Sequence, residues 1–428
     1  MSQFFQTYDR DRLYSHLSAN EAVIKEWFLK KAQGRPVPIY GSVDLRDSLF
    51  KCAPVDHNLF PAGFNNICPK DQRNAAPVFR SEIERIFSSC LKQPCPKRIA
   101  ILPEENTRNT FYLENIYFLR SILEEAGFEV QVAWMPQEDP LTLTLNTASG
   151  NTIEAHSLIR NHDSIQLHGG FTPDLILLNN DFSSGRPAFL ENLKQPIVPS
   201  FELGWYARQK SRFFDAYNRL ATDFAETLSI DPWLFTLETR KVENVDLDSS
   251  ESVDQLVSIT EDLLSHLKQA YEAREITATP VAFIKSNQGT YGMGVTSVRS
   301  GEELRTWNRR MKNKMSVGKN RLRISSVIIQ EGIPTATLVN EYPAEPVIYL
   351  TGLEPIGGFI RSNTEKSNAE NLNSTGMIFK KLCMSDLDLL LDSSADLDRE
   401  APENRSPKLE LIYGTLARLA ALASSFEL

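Results

Sequence analysis

Residues 281–298 carry the chain's densest ligand chemistry. Val281-Ala282-Phe283-Ile284 is a short apolar run that ends in Lys285. Ser286-Asn287-Gln288 follows, then Gly289-Thr290-Tyr291-Gly292-Met293-Gly294, then the β-type run Val295-Thr296-Ser297-Val298. Three glycines within six residues let backbone amides approach and surround an anion. A lysine at the strand end adds a cation to the same oxygens. That is the chemistry of a nucleotide-phosphate site. A surface β-hairpin whose lysine points to water fits the same spacing.

A second concentration of polar chemistry lies between residues 43 and 66. Asp44, Arg46, Lys51, Asp56, Asn58, Asn65 and Asn66 are interleaved with Phe60, Pro61, Gly63 and Phe64. The stretch has no sustained period of either kind, and loops of this composition are frequent ligand sites. A packed structural loop with Asn caps and turns explains it equally well. A third is Ser367 to Gly376, where Glu370, Asn371 and Asn373 offer the hard oxygens that Mg²⁺ prefers.

The elements that must position these residues follow from periodicity. Residues 8–33 carry a helical apolar stripe that Pro36 and Pro38 end. From Lys97 the pattern alternates. Arg98–Pro103 is a buried-type strand. A helix runs through Tyr112, Ile116, Leu119 and Leu123 to Gly127, and Phe128–Trp134 is a second strand. This βαβ unit predicts a parallel sheet. Its polar loop, Glu104 to Thr110 with Arg108 and Asn109, sits at the carboxyl edge, where such sheets place ligands. Asp174–Leu178 is a further strand, ending in Asn179-Asn180-Asp181. Residues 204–228 read as a helix with Arg208, Lys210 and Arg212 near its start. Residues 240–275 read as an acidic linker and then a helix. Residues 302–315 read as a helix, and 326–332 as a strand ending in Gln330-Glu331-Gly332. Residues 346–350 and 357–361 read as a hairpin, 380–405 as a loop and 409–426 as a closing apolar helix.

Composition narrows the class. The 428 residues are 41% hydrophobic and 24% charged, enough for two or three domains with ample core. The net charge of −9 argues against a nucleic-acid partner. No apolar run approaches the ~20 residues of a membrane span, and no signal peptide is read at the start, so the protein reads as cytoplasmic. The five cysteines show no paired motif and fit a reducing compartment better than a disulfide framework. The scattered histidines do not suggest zinc.

Several long motifs, in order, resemble one proteobacterial-type family of glutamate–cysteine ligases. They are Pro54-Val55-Asp56-His57-Asn58-Leu59-Phe60-Pro61-Ala62-Gly63-Phe64-Asn65-Asn66, Glu105 to Asn115, Leu178 to Asp181, Lys285 with Gly289–Gly294, and Ile329-Gln330-Glu331-Gly332. Ser286-Asn287-Gln288 and His57 depart from the family's pattern.

The resemblance implies a Rossmann-like parallel α/β domain followed by an ATP-grasp-like α+β module. The expected divisions are residues 1–92, 93–203 and 204–428. It implies ATP-dependent formation of γ-glutamylcysteine through an acyl phosphate, with ATP and Mg²⁺. Partners would be small molecules only, and a homo-oligomer is left open. By the same resemblance Lys285 and Gly289, Thr290, Tyr291, Gly292, Met293 and Gly294 hold phosphates, with Lys210 as the earlier ATP-contacting lysine. Gln330 and Glu331 line an adenine hinge. Arg361 stabilises the transferred phosphoryl group. Asn371, Asn373, Glu345 and Glu370 face the metal. Asp44, Arg46, Lys51, Asp56, Asn58, Asn65, Asn66, Arg108 and Asn109 meet the amino acids. Another ATP-grasp ligase and a non-catalytic nucleotide-binding protein remain the alternatives.

Overall fold

The structure is a computed structural model. It describes residues 8–105, 108–136, 138–182, 185–204, 206–288, 294–316, 325–391 and 407–427. Helices α1 (Arg10–Ala19) and α2 (Glu21–Ala32) precede the strands β1 (Tyr40–Asp47) and β2 (Cys52–Asn58). Helix α3 (Pro69–Arg85) leads into β3 (Arg98–Pro103), α4 (Thr110–Glu125) and β4 (Glu129–Trp134). Then come β5 (Thr142–Asn146), β6 (Thr152–Asn161), β7 (Ser164–Leu167), β8 (Leu175–Asn179) and β9 (Ile197–Val198). Helix α5 (Lys210–Thr227), β10 (Thr239–Glu243), α6 (Ser250–Glu272), β11 (Ala282–Ser286) and β12 (Val295–Val298) follow. The chain continues through α7 (Arg309–Ser316), β13 (Ser326–Glu331), β14 (Leu338–Val339), β15 (Tyr342–Thr351), β16 (Glu354–Asn363), β17 (Met377–Lys381) and α8 (Lys408–Ser424).

The described strands form three sheets. One is a seven-stranded sheet in the order β5-β6-β4-β3-β8-β9, with β7 on β6. Its β3, β4, β6, β8 and β9 pair in parallel, as the βαβ reading requires. The second is the four-stranded antiparallel sheet β10-β13-β11-β12. The third is antiparallel, in the order β17-β16-β15-β1-β2 with β14 on β15. Residues 40–58 therefore lie in the same sheet as residues 338–381, across the division drawn at residue 92 from sequence.

This last sheet is covered on both faces, which explains why β1 and β2 carry no alternation. Val43, Leu45, Ile348 and Ile360 face a core built by α1, α5 and α8. Tyr40, Val347, Tyr349 and Phe359 face α3, α4 and the parallel sheet. Every residue of β1 is buried. Helix α8 is apolar nearly all round, with Leu409, Ile412, Tyr413, Leu416 and Leu419 fully buried, as expected of a core helix. In the four-stranded sheet, Ala282, Ile284, Val327 and Ile329 pack on Leu256, Leu263 and Leu267 of α6. Period two then turns Phe283, Lys285 and Gln330 to the opposite face.

The structure differs from several expectations. The helix expected over 8–33 breaks at Asn20, whose side chain donates to the His16 carbonyl at 2.8 Å. The helix expected over 302–315 is a 3₁₀ turn, Gly301–Thr306, followed by α7. The Ser300–Glu303 capping box starts that turn. The linker at 240 contains β10, and Met384–Leu391 is 3₁₀ rather than loop. Cys68 and Cys383 form a disulfide across 315 residues, contrary to the reading of unpaired thiols. Proximity at that separation is a property of the fold alone. No helix among the described residues is long and apolar enough to cross a membrane.

Because α8 forms the centre of the largest core, Leu416→Ala should destabilise the protein by about 2–5 kcal/mol in chemical denaturation.

Candidate active site

The four-stranded sheet presents its free face to one end of the doubly covered sheet, and a cleft lies between them. Asp44, Arg46, Val55, Asp56, Lys210, Phe283, Lys285, Val295, Glu331, Ile333, Glu345, Asn371 and Asn373 line it. A concave lining that mixes apolar and charged groups is what a small-molecule site requires.

Its floor is built by register. Asp44 is the last residue of β1 paired with β15, opposite Val347. Glu345 and Arg361 are cross-strand partners on β15 and β16. Period two therefore brings Asp44, Arg46, Glu345 and Arg361 onto one face. Arg361 Nη1 donates to Asp44 Oδ2 at 2.7 Å and to Glu345 Oε1 at 2.9 Å, and Arg46 Nε donates to Glu345 Oε2 at 2.6 Å. Arg46 also donates to the carbonyls of Asn368 and Glu370, anchoring the loop that bears Asn371 and Asn373. Burial raises the Glu345 carboxyl, but the two guanidiniums outweigh it and hold its pKa below the usual range. For Asp44 burial wins, and its pKa is raised against the pull of Arg361.

One wall holds two lysines. Lys210, the first residue of α5, donates to Asp56 Oδ1 at 2.6 Å. Its backbone N–H donates to the Asn287 carbonyl, and Ser211 N–H to Asn287 Oδ1. Lys285 Nζ donates to the Val55 carbonyl at 2.8 Å and to Gln330 Oε1 at 2.7 Å. Burial pushes the Lys285 ammonium down to about 7, with Asp56 pulling the other way and Lys210 reinforcing the drop. Burial would raise Asp56, yet Lys210 and Lys285 together hold its pKa low.

The cleft thus gathers Asp44, Arg46, Asp56, Lys210, Lys285, Glu331, Glu345, Asn371 and Asn373. Other expected residues stand elsewhere. Lys51 Nζ is buried against both oxygens of Glu331 at 2.7 Å, with Trp233 beneath it at 4.3 Å, so two residues expected to meet ligands meet each other. Gln330 holds Lys285. Arg361 sits beneath Asp44 and Glu345. The Glu370 carboxylate accepts from Lys366 and the Ser367 N–H. Asn58 is opposite Ser42 in the sheet. Asn65 donates to Asn66 in the loop docked over the carboxyl edge of the parallel sheet, where Asn115 Oδ1 accepts from Gly63 and Phe64 N–H. At that edge Arg108 is exposed and Asn109 caps α4, accepting from Tyr112 N–H. Gly294 accepts from Ser286 N–H, closing the turn at a φ of +61°. Gly289, Thr290, Tyr291, Gly292 and Met293 lie outside the described residues.

Sequence reasoning missed Val55, Phe283, Val295 and Ile333, the apolar lining. Alternation along β11 already places Phe283 beside Lys285, and that signal was available.

Residues 15–428 match the family model for glutamate–cysteine ligase. The chain belongs to the glutamate–cysteine ligase family. It is an ATP-dependent ligase that joins glutamate to cysteine, the first step of glutathione biosynthesis. Its fold is similar to that of a protein from Methylobacillus flagellatus KT, provisionally assigned as a γ-glutamylcysteine synthetase. That likeness has a TM-score of 0.84 at 34% identity over 97% of this chain and 95% of that one. D-alanyl-alanine synthetase A from Vibrio cholerae O1 is matched over 75% of this chain and 79% of that one. Its 13% identity and TM-score of 0.33 carry no argument. No curated protein matches the chain.

The buried Lys51–Glu331 pair gives this ligase a clean energetic test. Lys51→Met strands a carboxylate and should lower stability by about 3–5 kcal/mol in urea titration. Adding Glu331→Gln, which still accepts from the Glu238 N–H, should restore most of it.

Proposed function

We propose that the cleft binds ATP in an ATP-grasp-like manner between the two antiparallel sheets, and that catalysis runs through γ-glutamyl phosphate. The observation that carries this is the pair of buried lysines lining the cleft, Lys210 on Asp56 and Lys285 on the Val55 carbonyl and Gln330, with Lys285 at the end of the strand that leads into the glycine-rich segment. Phe283, Val295, Val55 and Ile333 supply apolar surface for a base. Lys285 bonds two neutral acceptors rather than a carboxylate, so an incoming phosphate can recruit it, with its proton, without an ion pair to displace.

The residues also fit a divalent cation. Glu345 has both oxygens on arginines, and Glu370 is engaged by Lys366 and Ser367. Asp56, Asn371 and Asn373 line the cleft with oxygen-bearing side chains, Asn371 Oδ1 already accepting from the Asn373 N–H, and Mg²⁺ needs few protein ligands when phosphates complete its shell. When bound, the cation offsets the repulsion between carboxylate and triphosphate.

The γ-carboxylate of glutamate attacks the γ-phosphorus of ATP, and ADP leaves. The cysteine amine then attacks the acyl carbon, and phosphate leaves with the bond to carbon broken. Arg46 on the cleft floor suits an α-carboxylate, and Asp44 an ammonium. Protecting the acyl phosphate from water requires closure over the site.

Omitting cysteine and adding hydroxylamine should trap γ-glutamyl hydroxamate with matched ADP release; ADP without hydroxamate would remove the acyl phosphate. Turnover with γ-glutamylcysteine and glycine, but not with glutamate and cysteine, would reassign the substrates. Lys285→Met should raise the KM for ATP about 10–100-fold, the worth of one charged hydrogen bond. An unchanged KM would remove Lys285 from the site.

The low pKa of Lys285 adds a pH signature. Its folded pKa lies below the unfolded value, so the folded protein holds fewer protons than the unfolded chain above about pH 7. This group's contribution therefore makes stability rise from pH 7 towards the unfolded lysine pKa. Phosphates beside Lys285 raise its pKa again. ATP binding at pH 8 should thus take up protons, read by calorimetry in buffers of different ionisation enthalpy, and Lys285→Met should lose that uptake.

A further inference from the structure

We infer that Arg208, fixed by Glu427 just beyond α8, is a positioning residue for the Asp56–Lys210 pair. This rests on the reading of Lys210 as an ATP contact. Arg208 lies two residues before Lys210, and its Nη1 donates to the backbone carbonyl of His57, the residue after Asp56. One guanidinium therefore joins the two backbone segments whose side chains meet at 2.6 Å in the cleft.

The other face of the guanidinium is held by Ser424 and Glu427. Arg208 Nε donates to both oxygens of Glu427, at 3.1 and 3.0 Å, and Nη2 to Ser424 Oγ at 3.3 Å. The ion pair is deeply buried, with side chains 2% and 4% exposed, so solvent does not screen it. The preceding residue, Phe426, is capped by the Arg35 guanidinium at 3.4 Å from its ring centre. Glu427 is thus an anchored counter-charge.

The geometry also gives His57 a place. Its Nδ1 lies 2.8 Å from Ser424 Oγ, and its ring packs on Phe213, which also lies under Arg208. A Cβ at position 41 would stand 2.5 Å from Nε2, so Gly41 is what leaves room for the imidazole. His57, Ser424 and Arg208 close a ring of contacts between β2, the end of α8 and the start of α5. A lysine in place of Arg208 has one nitrogen and cannot reach three acceptors in a fork.

The expected consequence is kinetic. Arg208→Lys should raise the KM for ATP about tenfold, as sub-ångström misplacement of a binding pair does, with the KM for glutamate little changed. Glu427→Gln should move the same constant in the same direction. The double variant should be no worse than Arg208→Lys, because both act on one link. Lys210→Met is measured beside them. An unchanged ATP constant in Lys210→Met would remove Lys210 from the ATP site and this inference with it. A raised constant in Lys210→Met with a wild-type constant in Arg208→Lys would overturn the inference alone. So would a lowered melting temperature with equal losses towards all three substrates, the mark of a purely structural role. If Arg208→Lys does not fold, Glu427→Gln carries the same test.

Discussion

Four charges alternate in sign across the floor of the cleft: Asp44, Arg361, Glu345 and Arg46. All four are buried. Charges removed from water cost several kcal/mol each unless they are matched inside, and this set matches itself, two carboxylates against two guanidiniums. It requires strands from residues 40–47 and 342–363 to lie in one sheet at one register. A slip of one residue would turn the set towards α8, into the apolar core. The doubly covered sheet and its charged floor are therefore a single solution, and the loop bearing Asn371 and Asn373 hangs from it through Arg46.

The same logic separates the three buried lysines. Lys51 is closed off by the two oxygens of Glu331 and braces the end of the four-stranded sheet. Lys210 shares Asp56. Lys285 has neutral acceptors and the lowest cost of changing partners. A ligase that handles a triphosphate and carboxylates together needs cations that can be recruited, and the partner, rather than the residue type, decides which lysine is available.

The polar stretch 43–66 was legible as chemistry but not as strands. Alternation appears when one face of a sheet meets water; here both faces are covered, and polar residues sit where the sheet leaves its core for the cleft. The parallel βαβ unit and α6 were legible because each shows one apolar face. Asn20, Ser300 and Thr239–Glu243 are local choices of caps and pairing that a stripe of leucines cannot report.

The sequence by itself determined the family. A lysine at a strand end beside a glycine-rich segment is a local pattern, and the long motifs from Pro54 to Gly332 stand in the chain for anyone to read. Which of those motif residues line the cleft was decided by tertiary structure. Lys51 and Glu331, Arg208 and Glu427, and Cys68 and Cys383 are separated by 200 residues or more. Their pairing depends on sheet register and on the placing of α8, and neither leaves a periodic trace in the residues themselves.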